Sequence, residues 1–378
     1  MMKVLIVVPD LPVALDNIKG GVHSALLNLL KGFTTQPITI RVVSITRNVT
    51  IKTIVSFSNN IDILYLPESN LPHVFNYLIK GSTDLKAEIK SFNPSIVHYT
   101  MSGYILLTKV FGLLGKKQLV TIHGLGFPEA RLKTKLKDKL VFYSNGIIEK
   151  LCNPSNIIHL SNYTLNIIGK TKNYTIIPNA IDNSYFDIAP KVNTQNKLLF
   201  VGVIDENKNL YFLLQALQIA IKNNYVFTLD VLGDYANTEY KQVIETFITD
   251  NNLQPYINFN GWVTQTIVKQ ILQQSDILIV SSKQESLPMV IAEAMCAGKV
   301  VASSNVGGVY QMITHQKDGF IFENNHPKNL ALILQQLYNN NALMQQIQTQ
   351  AKITGKATYD SKIVAEKTIA FYKKLLTN

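Results

Sequence analysis

Cysteine is almost missing from this chain: Cys152 and Cys296 are the only two among 378 residues. They fall in different halves and match no metal-ligand spacing, which excludes a disulfide-stapled secreted domain and a zinc ribbon. Both read as packing residues of a protein in a reducing compartment. Charge is also scarce, at 16% against 47% hydrophobic residues, so a disordered chain is excluded and α/β domains with strands covered on both faces are favoured. Long apolar runs are missing as well. The run at residues 4–8 stops at Pro9-Asp10 and is too short for a signal-peptide core or a membrane span, and no stretch approaches eighteen uninterrupted apolar residues. A soluble, cytoplasmic protein is expected. There is no Asp-x-Asp and no His, Cys or carboxylate cluster with metal-ligand spacing. Any anionic ligand is therefore expected to meet side-chain cations and backbone dipoles rather than a divalent ion.

The chain is long enough for two cores, since domains of roughly 150 to 190 residues are the usual size. Its net charge of +11 favours an anionic partner: a phosphorylated substrate, an anionic lipid surface or nucleic acid. The densest cationic cluster is Arg131, Lys133, Lys135, Lys137 and Lys139, interleaved with Leu132, Leu136 and Leu140. Leucines at that spacing share one helix face, so the segment reads as a basic amphipathic helix. With the apolar residues 104–117, which end in Lys116-Lys117, it forms a candidate surface for anionic headgroups. A solvated, core-facing helix is the competing reading. Nucleic acid is disfavoured, because the cluster lacks interleaved stacking aromatics.

Short β-rich runs alternate with helical segments through the first half, at residues 3–8, 38–45, 62–66, 95–99, 118–122 and 157–160. Such alternation predicts an α/β fold with a parallel, doubly wound sheet. A polar, proline-bearing lapse at residues 188–196 predicts the domain boundary. A second set of strands follows at residues 197–203, 227–232, 257–259, 277–280 and 300–302. Residues 360–376 have imperfect helical spacing and are expected to cap a domain.

Residues 276–308 carry the strongest chemical signal. A strand runs into the polar turn 281–286 and then into a helix where Pro288 suits the first position. Glu285 is thereby placed in the crevice before a helix N-terminus. Glu293 is the only charged side chain from Leu287 to Cys296, in a helix apolar on nearly every side. A buried carboxylate there costs several kcal/mol, on the order of the penalty for an unpaired buried charge, unless something hydrogen-bonds it. Ligand hydroxyls, backbone or a lysine would serve. For Glu285 the plain alternative is an exposed turn residue.

Glu285 and Glu293, with seven residues between them in E-S-L-P-M-V-I-A-E-A-M-C-A-G and followed by Gly307-Gly308, resemble the signature of family 4 of the retaining glycosyltransferases, which have the GT-B fold. The resemblance extends through Gly20-Gly21, Thr121-Ile122-His123-Gly124, Ile177-Pro178-Asn179-Ala180-Ile181-Asp182, Val201-Gly202 with Lys208, and Gly261-Trp262-Val263, in the family's order. It implies two Rossmann-like domains facing across a cleft: residues 1–188 on the acceptor side, 189–358 binding the nucleotide sugar, and a C-terminal helix, 359–378, crossing back to the first domain. Glu285 would bind hydroxyls of the transferred sugar, Glu293 the ribose, and Lys208 the diphosphate. Gly20, Gly21 and Gly202 would allow close backbone approach, and His123 would face the donor sugar. Around the helix N-terminus, Ser286, Leu287, Met289 and Val290 would present backbone N–H groups to the donor, with Pro288, which has none, lining the same turn. The family's chemistry is retention of the anomeric configuration by same-face attack, with the leaving phosphate helping to deprotonate the acceptor. The implied co-substrate is a nucleotide-diphosphate sugar, with no cofactor and no metal. The expected acceptor is a glycan or, if the basic segment from Arg131 to Leu140 touches membrane, a lipid-linked glycan at the cytoplasmic face, as in surface-polysaccharide synthesis.

Two positions depart from the family. Val203 stands where an arginine commonly follows the strand-ending glycine, leaving the diphosphate short of one cation. Ala180 replaces the glycine of Pro-Asn-Gly, which would cost on the order of 1 kcal/mol if the backbone there were left-handed. Two other functions stay open: a nucleotide-sugar epimerase of the same architecture, and a nucleotide-sugar-binding subunit whose catalysis has decayed.

Overall fold

The computed structural model describes residues 1–15, 18, 20–68, 81–100, 116–126, 128, 136–152, 154–188 and 196–377. They form two units, Met1–Ala180 with Ser361–Asn378, and Ile181–Asp360.

The first unit is built on an eight-stranded sheet of order β3-β4-β2-β1-β5-β6-β7-β8. Its strands are β1 (Met2–Pro9), β2 (Ile38–Thr46), β3 (Thr53–Ser58), β4 (Ile61–Pro67), β5 (Ile96–Tyr99), β6 (Lys117–Ile122), β7 (Asn156–His159) and β8 (Asn173–Ile176). All described pairs are parallel except β3 with β4. The chain reverses its direction of winding between β1 and β5, and open α/β sheets hold ligands beyond the strand carboxyl ends at such a reversal. The described helices are α1 (Gly21–Phe33), α2 (Gly81–Phe92), α3 (Leu136–Cys152), α4 (Asn162–Ile168) and the C-terminal α11 (Ser361–Thr377). One sheet face is covered by Leu26, Leu30 and Phe33 of α1 with Phe371, Tyr372 and Leu375 of α11. The other face takes Leu85 and Ile89 of α2. Alpha helices α1 and α11 approach so closely that a Cβ on Gly32 would lie 2.0 Å from the Ser361 carbonyl oxygen.

The second unit has a six-stranded parallel sheet, β11-β10-β9-β12-β13-β14. The strands are β9 (Lys197–Val201), β10 (Thr228–Leu232), β11 (Ile257–Phe259), β12 (Ile277–Val280), β13 (Val300–Ser304) and β14 (Phe320–Phe322). Here the reversal falls between β9 and β12. Helices α5 (Leu210–Lys222), α6 (Thr238–Asp250) and α9 (Pro327–Leu337) cover one face. The other is covered by α7 (Gln265–Gln274), α8 (Met289–Cys296) and much of α10 (Asn341–Tyr359).

Three expectations need correction, and the condition attached to Ala180 is decided. The first domain ends at Ala180 rather than residue 188, because Ile181, Tyr185 and Ile188 pack into the second unit's core and Ile181 N–H donates to the Tyr359 carbonyl at 2.9 Å. Likewise the second unit runs to Asp360, not 358. Strands β3, β8 and β14 were not expected: β3 and β8 are edge strands that are only half-buried, so their apolar alternation is weak, and β14 has just three residues. Ala180 has no positive φ. It is buried, with its carbonyl accepting from Asn28 Nδ2 at 3.2 Å, so no left-handed strain arises there. The polar residues 189–195 proposed as a boundary lie outside the described residues, as do Arg131, Lys133 and Lys135 of the basic cluster and residues 101–115 beside it.

Candidate active site

In the second unit the loops after β9 and β12, the two strands flanking the reversal, are tied together. Lys283 N–H donates to the Asn207 carbonyl at 2.7 Å, and Gln284 N–H donates to Asn207 Oδ1 at 3.0 Å. Asn207 Nδ2 returns a bond to the Gln284 carbonyl at 3.2 Å. Asp205 Oδ1 accepts from Lys208 N–H at 2.7 Å, which fixes the start of the turn carrying that lysine. These clamps bring Lys208 Nζ to 2.6 Å from Glu285 Oε1, where Ser282 Oγ also donates at 2.7 Å. Both partners use Oε1. Oε2 of Glu285 therefore remains available to accept a hydroxyl, with no partner among the described residues.

Glycine is required behind this pair. A Cβ on Gly307, whose φ is +54°, would fall 1.6 Å from the Glu285 carbonyl oxygen, and Gly308 N–H donates to that oxygen at 3.2 Å. Gly202 lies at φ +148° directly after β9, and a Cβ on Gly233 would meet its carbonyl oxygen at 1.9 Å. The β9 and β10 loops thus touch backbone to backbone.

Pro288 is the N-cap of α8 rather than its first helical residue, because its ψ of 120° is extended. It supplies no side-chain cap. Leu287, Met289 and Val290 pack against the core, and Ser286 is half-buried. This leaves the first-turn amides as the polar groups the helix start presents.

Glu293 is buried one turn into α8, in a polar pocket separate from the Glu285 partners. The Tyr185 hydroxyl, which donates to Gln265 Oε1 at 2.9 Å, lies beside it. Lys269 sits 4.9 Å over the Tyr185 ring, with its Nζ 3.5 Å from Asp182 Oδ2. Burial pushes the Glu293 carboxyl up to about 7, against the opposing pull of Lys269 and the Tyr185 hydroxyl. Tyr185 and Lys269 thus stand near Glu293, and protein groups and ligand hydroxyls both stay open as its partners. Lys269 is the lone charged residue of α7, a signal that could have marked it. Asp182 accepts from Ser184 N–H at 2.9 Å and caps a short 3₁₀ turn.

In the first unit, Gly20 (φ +101°) is the N-cap of α1 and Gly21 its first residue. Two residues on, His23 donates Nε2–H to the Pro9 carbonyl at 2.9 Å. His123 follows β6 and is half-buried, with no hydrogen-bond partner among the described residues. Burial, reinforced by His23, holds it down to about 4, so its imidazole is neutral at pH 7 and offers one donor and one acceptor. A cavity of about 30 Å³ is lined by His98, Thr100, Thr121, His123 and Asn179 along with apolar side chains. His98, His23, Ser282, Tyr185 and Lys269 were not singled out by any motif in the sequence. No group of three or more His, Cys, Asp or Glu suited to a metal occurs among the described residues.

Residues 19–185 match the family model of glycosyltransferase family 4, and residues 182–354 that of glycosyl transferases group 1. The chain is 27% identical over 271 residues to the UDP-Gal:alpha-D-GlcNAc-diphosphoundecaprenol alpha-1,3-galactosyltransferase of Escherichia coli, covering 65% of this chain and 67% of that one. Among solved structures, a sucrose-phosphate synthase from Thermosynechococcus elongatus superposes with a TM-score of 0.81 at 16% identity, covering 100% of both chains. HepE of Anabaena in complex with UDP-glucose superposes at 0.75 and 15%, covering 99% of this chain and 100% of that one. One family model falls on each unit, and the Lys208–Glu285 pair stands at the strand reversal where such sheets take ligand. The chain belongs to the group 1, family 4 glycosyltransferases of GT-B fold, which use nucleotide sugars.

Proposed function

We propose that this glycosyltransferase moves a hexose from a uridine-diphosphate donor to a lipid-linked glycan, with retention and without a divalent metal. The observation that carries the reading is the Lys208–Glu285 pair between the ends of β9 and β12, with Glu285 Oε2 left to accept a hydroxyl. In this reading Oε2 takes a hydroxyl of the transferred sugar. Lys208 and the uncapped amides of α8 meet the diphosphate as charge builds on it. Neutral His123 offers a hydrogen bond to the sugar without adding a charge that would have to be desolvated. Glu293, with Tyr185 and Lys269 behind it, takes the ribose. The relatives support the donor and acceptor: HepE is seen with UDP-glucose, and the E. coli enzyme uses UDP-Gal and a diphosphoundecaprenol-linked sugar.

A membrane acceptor is also favoured by the outer face of α3. Leu136, Leu140, Tyr143 and Ile147, spaced as one helical stripe, are 71%, 61%, 37% and 49% exposed, with Lys139 in the same helix. An apolar stripe beside lysines suits an anionic interface at the cytoplasmic face. Among the described residues no helix is long and apolar enough to cross a membrane. Proton NMR of the product tests the chemistry: an α-linked sugar from an α-linked donor, formed equally well in EDTA, is expected. An inverted anomer, or activity lost to EDTA and restored only by added metal, contradicts it.

A further inference from the structure

Behind His123 lies a chain of buried hydrogen bonds that begins on the last helix of the protein. His98, on β5, uses both ring nitrogens: Nδ1 lies 2.6 Å from the Tyr372 hydroxyl of α11, and Nε2 lies 2.7 Å from Thr121 Oγ1 of β6. His98, Tyr372 and Thr121 are all buried. The Tyr372 ring meets His98 edge-on at 5.7 Å and is stacked on Phe33 at 6.4 Å, so its position is fixed by packing as well as by its hydroxyl.

The direction of the protons follows from what each group can do. His98 is neutral, because burial, with His123 nearby, lowers it to about 3. A neutral imidazole has one donor and one acceptor nitrogen. The Tyr372 hydroxyl has His98 as its one hydrogen-bond partner among the described residues, and its own proton would be stranded in the core if it only accepted. Tyr372 O–H therefore donates to Nδ1, and Nε2–H donates to Thr121 Oγ1. That leaves the Thr121 proton free to point onward. Thr121 and His123 are two residues apart at the end of β6 and line the same cavity of about 30 Å³, room for a single water or a little more.

We infer that Tyr372, His98 and Thr121 form a one-way hydrogen-bond chain that sets the tautomer of His123, making them positioning residues for this transferase. Whichever His123 nitrogen meets the Thr121 proton across one water in that cavity becomes the acceptor; the other then carries the hydrogen and is presented outward as a donor. The role of that donor toward the sugar rests on the proposed function, whereas the tautomer itself does not.

Two measurements test the chain. Nitrogen-15 spectra of the imidazoles in the full-length protein should show His98 as the Nε2–H form and His123 as a single tautomer. Tyr372→Phe, which keeps the ring and its stacking, should turn His123 into a mixture. An unchanged His123 signature in Tyr372→Phe and in Thr121→Val overturns the inference, whatever the activity. In turnover, Tyr372→Phe should lower kcat about tenfold, the effect of one lost hydrogen bond, with donor KM within about twofold. His98→Gln, which can still accept and donate, should recover part of what His98→Ala loses. In a His123→Ala background, Tyr372→Phe should have no further effect. Equal losses in both backgrounds would assign Tyr372 a purely structural role and overturn the inference, while absence of any Glu285-dependent turnover would instead count against the proposed function.

Discussion

Val203 is more than half exposed, at 55%, directly after Gly202 at the end of β9. In the proposed function it contributes no charge where a diphosphate would be met, and the nearest lysine of that loop, Lys208, is already paired with Glu285. Val203→Arg is therefore expected to lower donor KM about fivefold, the effect of about 1 kcal/mol of charge-assisted hydrogen bonding at a partly exposed site, with little change in thermal stability. Steady-state kinetics checks it, and an unchanged KM would mean that position 203 does not face the phosphates. Glu285→Gln keeps the shape but removes the charge that holds Lys208, and should cost about a hundredfold in kcat. Glu285 was legible in the sequence because it sits in a polar turn between a strand end and a helix start, and Lys208 only through the family resemblance. The surroundings of Glu293 were not. Tyr185 and Lys269 come from distant segments, and only the packing of α7 and the 3₁₀ turn against α8 brings them to that carboxylate.

At the scale of elements, the strands were legible where they are central and apolar. Strand β1 has five consecutive fully buried residues, Val4 to Val8, and β12 is buried throughout. Edge strands such as β3 and β8 are half-solvated, and nothing in their local pattern separates them from loop. Helix α11 was legible as a helix though its apolar period is imperfect. It packs along α1, and Gly32 leaves no room for any side chain beneath Ser361. Gly32→Ala should thus force the two helices apart and destabilise the first unit by about 2 kcal/mol, in the range for overpacking, with Tyr372 losing its bond to His98. Denaturant melts of the variant check this. The stripe on α3 gives a separate expectation: replacing Leu136 and Leu140 with serine should abolish sedimentation with vesicles of anionic lipid while leaving the melting temperature unchanged. Equal sedimentation of both proteins would show that the stripe serves another purpose.

The molecule as a whole carries opposite acid responses in its two units. His98, His123 and His159 of the first unit are held neutral by burial, down to about 3, about 4 and about 4. The unfolded chain takes up those protons below about pH 6.5 and the folded unit does not, so their contribution is full above that pH and is lost as the pH falls toward 4. Glu293 in the second unit behaves in the reverse way: raised from 4.5 to about 7, it favours the fold at low pH and loses that contribution as the pH rises through 7. Hydrogen exchange at pH 5 against pH 7 should show protection falling mainly in residues 1–180. A larger loss of protection in residues 181–360 would contradict the assignment. The doubly wound class was legible from alternation alone, since each β-run was followed by a helix-length segment. The strand order and the two reversals were not, because sequence spacing does not say which strands become neighbours, and the reversals are what bring Lys208 to Glu285.

That pairing is the centre of the account, and donor turnover tests it most directly. Release of nucleoside diphosphate should be measured from UDP-, GDP-, ADP- and dTDP-sugars, with lipid extract as acceptor, for the natural chain, Glu285→Ala and Lys208→Ala. Selective release from a UDP-hexose is expected, reduced by at least about a hundredfold in both variants. Turnover that survives in Glu285→Ala, or no turnover of any donor by the folded natural chain, would contradict it.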